Sequence, residues 1–165
     1  MIYGYKGYGI CLYQIDAADG SKNNIIVNNT IVSTASGAGA AVRILDGSTG
    51  NTLYNNILLG GGGVALRISN DSLSGLVSNY NIGGVYQSED TGATQTLAQW
   101  QAQTSQDLNS FTATASQLFV SPSTNDYHLA AGSPAIDAGT STDAPATDLD
   151  GNPRPANLIS IGAYQ

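Results

Sequence analysis

The sequence predicts an all-β chain built as a parallel β-helix, a single-stranded β-solenoid, and three observations carry that expectation. The phrase Asn24-Ile25-Ile26-Val27-Asn28-Asn29-Thr30-Ile31-Val32 returns as Asn51-Thr52-Leu53-Tyr54-Asn55-Asn56-Ile57-Leu58-Leu59 at a constant offset of 27 residues, with a weaker third copy at Leu76-Val77-Ser78-Asn79-Tyr80-Asn81-Ile82. A second phrase alternates with it: Ala41-Val42-Arg43-Ile44 and Ala65-Leu66-Arg67-Ile68 lie 24 residues apart, and Gly9-Ile10-Cys11-Leu12 echoes them upstream. Both phrases alternate apolar with polar or small residues, the period-2 signature of a strand buried on one face. A recurrence in the twenties marks a solenoid, and such a period leaves room for about three short strands and three bends per coil. No apolar stripe of helical spacing runs through these phrases, and their β-branched and Asn-rich content disfavours a helix.

Taken from the start, Tyr3, Tyr5 and Tyr8 alternate with Gly4, Gly7 and Gly9, and the first strand phrase begins at Ile10 with no capping element before it. An uncovered solenoid end offers unpaired backbone groups, so the chain is expected to be a piece of a longer β-helix or to associate end to end through its N-terminal coil. Asp16 to Asn23 and Thr34 to Gly39 read as turns, and Gly60-Gly61-Gly62-Gly63 as a tight corner; no Lys-Ser or Lys-Thr follows it to make a phosphate loop. The pairs Asn28-Asn29 and Asn55-Asn56 suit a repeated bend, because Asn tolerates the left-handed region. Stacked copies would form an amide ladder, and this structural reading outweighs a sugar-binding amide row.

After Gly83-Gly84 the period is expected to dissolve. Thr96-Leu97-Ala98-Gln99 has the form of a capping box, and Leu97, Trp100 and Thr104 fall on one face of a short helix of about two turns, where a place inside an amphipathic segment makes Trp100 the plug of a coil ahead of a sugar-stacking platform. Gln117-Leu118-Phe119-Val120 and Asp126-Tyr127-His128-Leu129 read as two further strands about a turn at Pro122, leading into an irregular C-terminal cap. His128 is the one histidine and has no companion residues for a ligand set or triad in the sequence around it. The reading is of one domain, with regular coils over 1–84 and terminal coils and cap over 85–165.

Charged residues make up only 10% of the chain, with 41% hydrophobic, as many turns and few surface helices require. A net charge of −7 argues against nucleic acid and anionic membranes as partners. No run approaches the length of a membrane span, and Cys11, standing alone, forms no internal disulfide.

From Leu118 onward the wording becomes specific. Leu118-Phe119-Val120, Asp126-Tyr127-His128-Leu129, Gly132-Ser133-Pro134-Ala135-Ile136-Asp137-Ala138-Gly139, Asp148-Leu149-Asp150-Gly151-Asn152-Pro153-Arg154 and Ile161-Gly162-Ala163-Tyr164 resemble the C-terminal part of bacterial right-handed parallel β-helix proteins of the pectate-lyase-like, choice-of-anchor Q type. Asn28-Asn29-Thr30-Ile31 is similar to their coils. The resemblance implies a right-handed coil and an extracellular or cell-surface bacterial origin. Activities in the group range from polysaccharide lyases and hydrolases to members with no known reaction. Members carry many more coils than this chain encodes, and lyase relatives react on an outward sheet or groove of the central coils.

Arg43 and Arg67 are the leading site candidates. Equivalent places in successive coils set them about 4.8 Å apart along the pairing direction, where like charges need an answering anion. Asp46 and Asn70, equivalent positions downstream, and Asp71 beside the latter are expected either to neutralise them locally or to join them in holding an acidic polysaccharide by guanidinium–carboxylate pairing. A lyase would also need a base and often a cation. Beyond these arginines the basic residues are Lys6, Lys22 and Arg154, with no dense carboxylate cluster in the repeats, and Asp46 with Asp71 is the one pair a hydrolase could use. Asp148, Asp150 and Asn152 place oxygen-bearing side chains at alternate positions, a candidate Ca²⁺ loop. Gly at its fourth position and Ile159 where a bidentate Glu would stand exclude an EF-hand, and a rigid Asp-Gly turn into Pro153 is the competing reading. The leading expectation is a non-catalytic module contacting an acidic polysaccharide or a neighbouring chain; the rivals are a fragment of a polysaccharide lyase, ahead of a glycoside hydrolase, and a purely structural stalk.

Overall fold

The alternating phrases fold into short strands that rotate through three sheets. The computed structural model describes residues 1–15 and 19–165, so the expected turn from Asp16 to Asn23 lies partly outside the described residues. After β1 (Ile2–Tyr3) and β2 (Ile10–Leu12) come β3 (Ile25–Val27), β4 (Thr30–Val32) and β5 (Val42–Ile44), then β6 (Thr52–Tyr54), β7 (Ile57–Leu59) and β8 (Val64–Ile68), then β9 (Val77–Asn79) and β10 (Val85–Ser88). The first sheet has the order β3-β6-β9, the second β1-β4-β7 and the third β2-β5-β8-β10, and within these orders every pairing is parallel. The chain is therefore all-β with parallel sheets.

The repeat offset is the strand register. Ile26 pairs with Leu53, Val42 with Leu66, Ile10 with Val42 and Arg43 with Arg67. Alternation then points Ile26, Ile31, Val42, Ile44, Leu53, Leu58, Leu66 and Ile68 into one buried cluster. Past Gly84 the coils go on at a changed offset. β10 continues the third sheet beside β8 after a bulge between Val85 and Tyr86, and Ile82 bridges Ile57 on one side and Phe111 on the other. The extra residue of the bulge is Ala65 on β8, and the step from Leu66 to Tyr86 is 20 residues where that from Val42 to Leu66 is 24, which hides the register from a fixed-offset reading.

Asparagine makes the bends. Asn28 and Asn55 take φ of 51° and 55°, and Tyr80 holds the same place in the next layer at φ 55°. The following asparagines stack: Asn29 Nδ2 donates to Asn56 Oδ1 at 3.2 Å and Asn56 Nδ2 to Asn81 Oδ1 at 3.0 Å. Each acceptor oxygen also takes the backbone N–H of the asparagine below it, Asn29 and Asn56 in turn, at 3.0 Å. The column ends on the buried Asp107 carboxylate, which accepts from Asn81 Nδ2, Ser78 Oγ, Ser110 Oγ and Trp100 Nε1. These amides are spent on structure, as buried polar groups must be.

β11 (Thr94–Thr96) folds back antiparallel on β10 and leads into helix α1 (Leu97–Thr104), whose capping box pairs Thr96 with Gln99. Trp100 is 2% exposed and stacks on Tyr86 with ring centroids 4.9 Å apart, which closes the interior as the plug expected of it. A second capping box, Thr114 with Gln117, starts the short helix α2 (Ala115–Leu118), so the strand expected from Gln117 begins only at Phe119. That strand, β12 (Phe119–Ser121), pairs antiparallel with β13 (Asp126–Leu129).

The remaining C-terminal segment lies along the flank. Asn28 Nδ2 donates to the carbonyls of Ser160 and Gly162, Gly162 N donates to Asn55 O, and Ala163 N donates to Thr30 Oγ1. The outward side chains of the second sheet, Val32 and Ile57, are thereby buried with Ile82, Leu118, Phe119, Tyr127, Ala135 and Ile161 in a second apolar cluster. The irregular cap expected at the C-terminus is in this respect a strap across the coils.

Candidate functional site

The outward face of the third sheet carries the candidate arginines. Its register stacks Cys11, Arg43, Arg67 and Gln87 in one column, because each residue is the polar middle of its strand phrase. Glu89, two residues past Gln87, folds back over the pair. Arg43 Nε donates to Glu89 Oε2 at 2.8 Å and Nη2 to Oε1 at 2.6 Å. Arg67 Nη2 donates to the same Oε1 at 3.3 Å, and its Nε lies 2.6 Å from Oε2, off the line of a hydrogen bond. Arg43 also lies over the Tyr8 ring, 4.6 Å from its centroid, a cation–π contact. Hydrogen bonds from Arg43, then the charges of both arginines, hold the Glu89 carboxyl below its ordinary range against the opposing effect of burial. The same bonds push the Arg43 guanidinium up, while burial pushes the Cys11 thiol up.

The carboxylates expected to answer the arginines stand apart from them. Asp46 is exposed at a left-handed bend, φ 59°, and its Oδ2 lies 3.5 Å from Gln14 N. Asn70 and Asp71 sit in the turn Asn70–Ser72, where Asp71 Oδ1 accepts from Ser69 Oγ and Ser72 Oγ and the Ser69 hydroxyl leads in lowering its pKa. Asn70 N donates to Asp90 Oδ2 at 2.8 Å. Local neutralisation is thus real, but Glu89 supplies it and Asp46, Asn70 and Asp71 do not. The signal in the sequence was that Glu89 is the chain's one glutamate; placing it required the pairing of β10 with the bulged strand β8.

The Asp148–Asn152 loop is a turn clamped by its own backbone. Asp148 accepts from the N–H groups of Asp150, Asn152 and Gln165 and from Asn152 Nδ2. Those donors point at the lone pairs a cation would need, so Asp148, Asp150 and Asn152 do not fit Ca²⁺, and among the described residues no three His, Cys, Asp or Glu side chains converge as a metal set. Asp150 instead meets His128: His128 Nε2 lies 3.0 Å from Asp150 Oδ2, and Nδ1 lies 2.6 Å from Asp126 Oδ1. His128 packs on Tyr164 with centroids 4.2 Å apart, and its pKa is raised, chiefly by the hydrogen bond to Asp126 and then by that to Asp150. Arg154, only 7% exposed, donates to the carbonyls of Ser160 and Gly162 and holds the strap.

No family model, no curated protein and no solved structure matches the chain. No helix among the described residues is long and apolar enough to cross a membrane.

Proposed function

We propose that this chain is a right-handed parallel β-helix module of the pectate-lyase-like kind, from a bacterial extracellular protein, and that it works without catalysis by joining a neighbouring chain. Its first layer carries the reading. Strands β1, β2 and β3 are the outer members of their sheets, and Tyr3, Tyr13, Ile15 and Ile25 in or beside that layer are exposed large apolar residues. Unpaired N–H and C=O groups beside apolar surface are what another strand pairs with. The geometry favours a neighbouring chain over an acidic polysaccharide, because Glu89 occupies the guanidinium edges that a uronate would take.

Light scattering over a range of concentrations tests this. The expected result is a rising mass that Tyr13→Lys, Ile15→Lys and Ile25→Lys together abolish; a monomer at every concentration rejects it. Retardation on polygalacturonate without product would move the function to glycan binding, and ultraviolet-absorbing unsaturated product from that polymer would restore the lyase reading.

A further inference from the structure

The hairpin of β10 and β11 stands away from helix α1, and between them opens a cleft of about 320 Å³. Ile68, Leu73 and Trp100 form its apolar part, and Asn70, Gln95 and Gln103 bring amides to it with the Thr94 hydroxyl. We infer that this cleft binds a single unit of a neutral saccharide.

Three features carry the inference. No lining residue bears a formal charge, whereas a uronate, sulfate or phosphate calls for Arg or Lys. The side chains of Asn70, Thr94, Gln95 and Gln103 make no hydrogen bond to any other described residue, in contrast with the saturated asparagine column on the other side of the molecule. These four groups, of which Asn70, Thr94 and Gln103 are exposed, are free to meet the hydroxyls of a ligand in place of solvent. An amide donates and accepts together, as a sugar hydroxyl does, so adjacent hydroxyls match it in both roles; an apolar ligand would leave the amides dry at a cost. The floor completes the match. Trp100, buried and held flat against Tyr86 with its Nε1 fixed on Asp107, backs a wall that is rigid before any ligand arrives, and the half-buried Leu73 side chain gives the C–H face of a sugar ring an apolar surface to lie on. The volume is at the low end of small-molecule sites, which begin at about 300 Å³, the scale of one sugar unit and not of a bound polymer. The site is independent of the first layer, so it stands or falls separately from association with a neighbouring chain.

Trp100 is the chain's one tryptophan and stands in the wall of the cleft, so its emission follows changes there. Neutral trisaccharides of glucose, xylose, mannose and galactose are titrated against the full chain, with trigalacturonate as the charged control. The expected result is a saturable change in Trp100 emission with at least one neutral probe, weakened about tenfold in the Asn70→Ala, Gln103→Ala double variant. Both side chains are exposed, so the thermal midpoint of the variant should match the parent. Silence with every neutral probe, a response to trigalacturonate as strong as to the best of them, or a response that the double variant leaves intact overturns the inference.

Discussion

Glu89 spans two guanidinium groups that the sheet register forces together, and its removal leaves like charges in adjacent strands. Glu89→Gln should lower stability by about 1–3 kcal/mol, since a partly buried charged hydrogen-bond set loses its acceptor. In the Glu89→Gln, Arg67→Gln double variant, denaturant unfolding should recover part of that loss; losses that simply add would show that the two groups do not interact. His128 gives a pH signature of its own. Only the imidazolium donates from both ring nitrogens, to Asp126 and Asp150 together. Its native pKa is raised from 6.5, so its contribution is fully present below about 6.5 and is lost as pH rises through the raised value. The thermal midpoint should therefore fall across that window, and His128→Gln should flatten the slope. Neither contact was legible in the sequence: Glu89 reaches Arg43 across 46 residues, and Asp150 lies 22 residues from His128.

The repeated strands were legible because a parallel register converts equal spacing in the chain into contact in space. Ile26 over Leu53 and Arg43 over Arg67 follow from counting alone. The strap was not, because its fold depends on single long-range bonds such as Asn28 to Gly162, 134 residues apart, and no periodic pattern encodes them. The layers also predict unequal costs. Asn56 is fully buried, accepts from Asn29 and donates to Ile26 O and Asn81 Oδ1, so Asn56→Ala should cost about 2–4 kcal/mol by stranding several buried groups at once. Tyr80 should behave in the opposite sense. It occupies the left-handed place that Asn28 and Asn55 fill in the layers below, a region costly for a bulky side chain. Tyr80→Asn should raise the unfolding midpoint by an amount equivalent to about 0.5–1 kcal/mol; a lower midpoint would mean that the packing of the half-buried Tyr80 ring outweighs the backbone strain.

The two apolar clusters share a wall, and that sharing decides how the whole molecule unfolds. Along β4 and β7, Ile31 and Leu58 face the interior with Trp100, while Val32 and Ile57 face outward beneath the strap with Leu118 and Ile161. Because the same strands carry both faces, the strap cannot detach without baring apolar surface on the second sheet, and the interior cannot open without breaking the ledge on which the strap rests. Neither cluster is then an independent folding unit, although each has its own set of buried side chains. Leu118→Ala, at a fully buried position in the outer cluster, should cost about 2–5 kcal/mol and should shift two probes equally: Trp100 emission, which reads the interior, and far-ultraviolet dichroism, which reads the strands. Coincident curves are the mark of one transition. If Trp100 kept its midpoint while the dichroism split into two steps, the strap would be an accessory laid on a finished solenoid and the shared wall would carry no coupling.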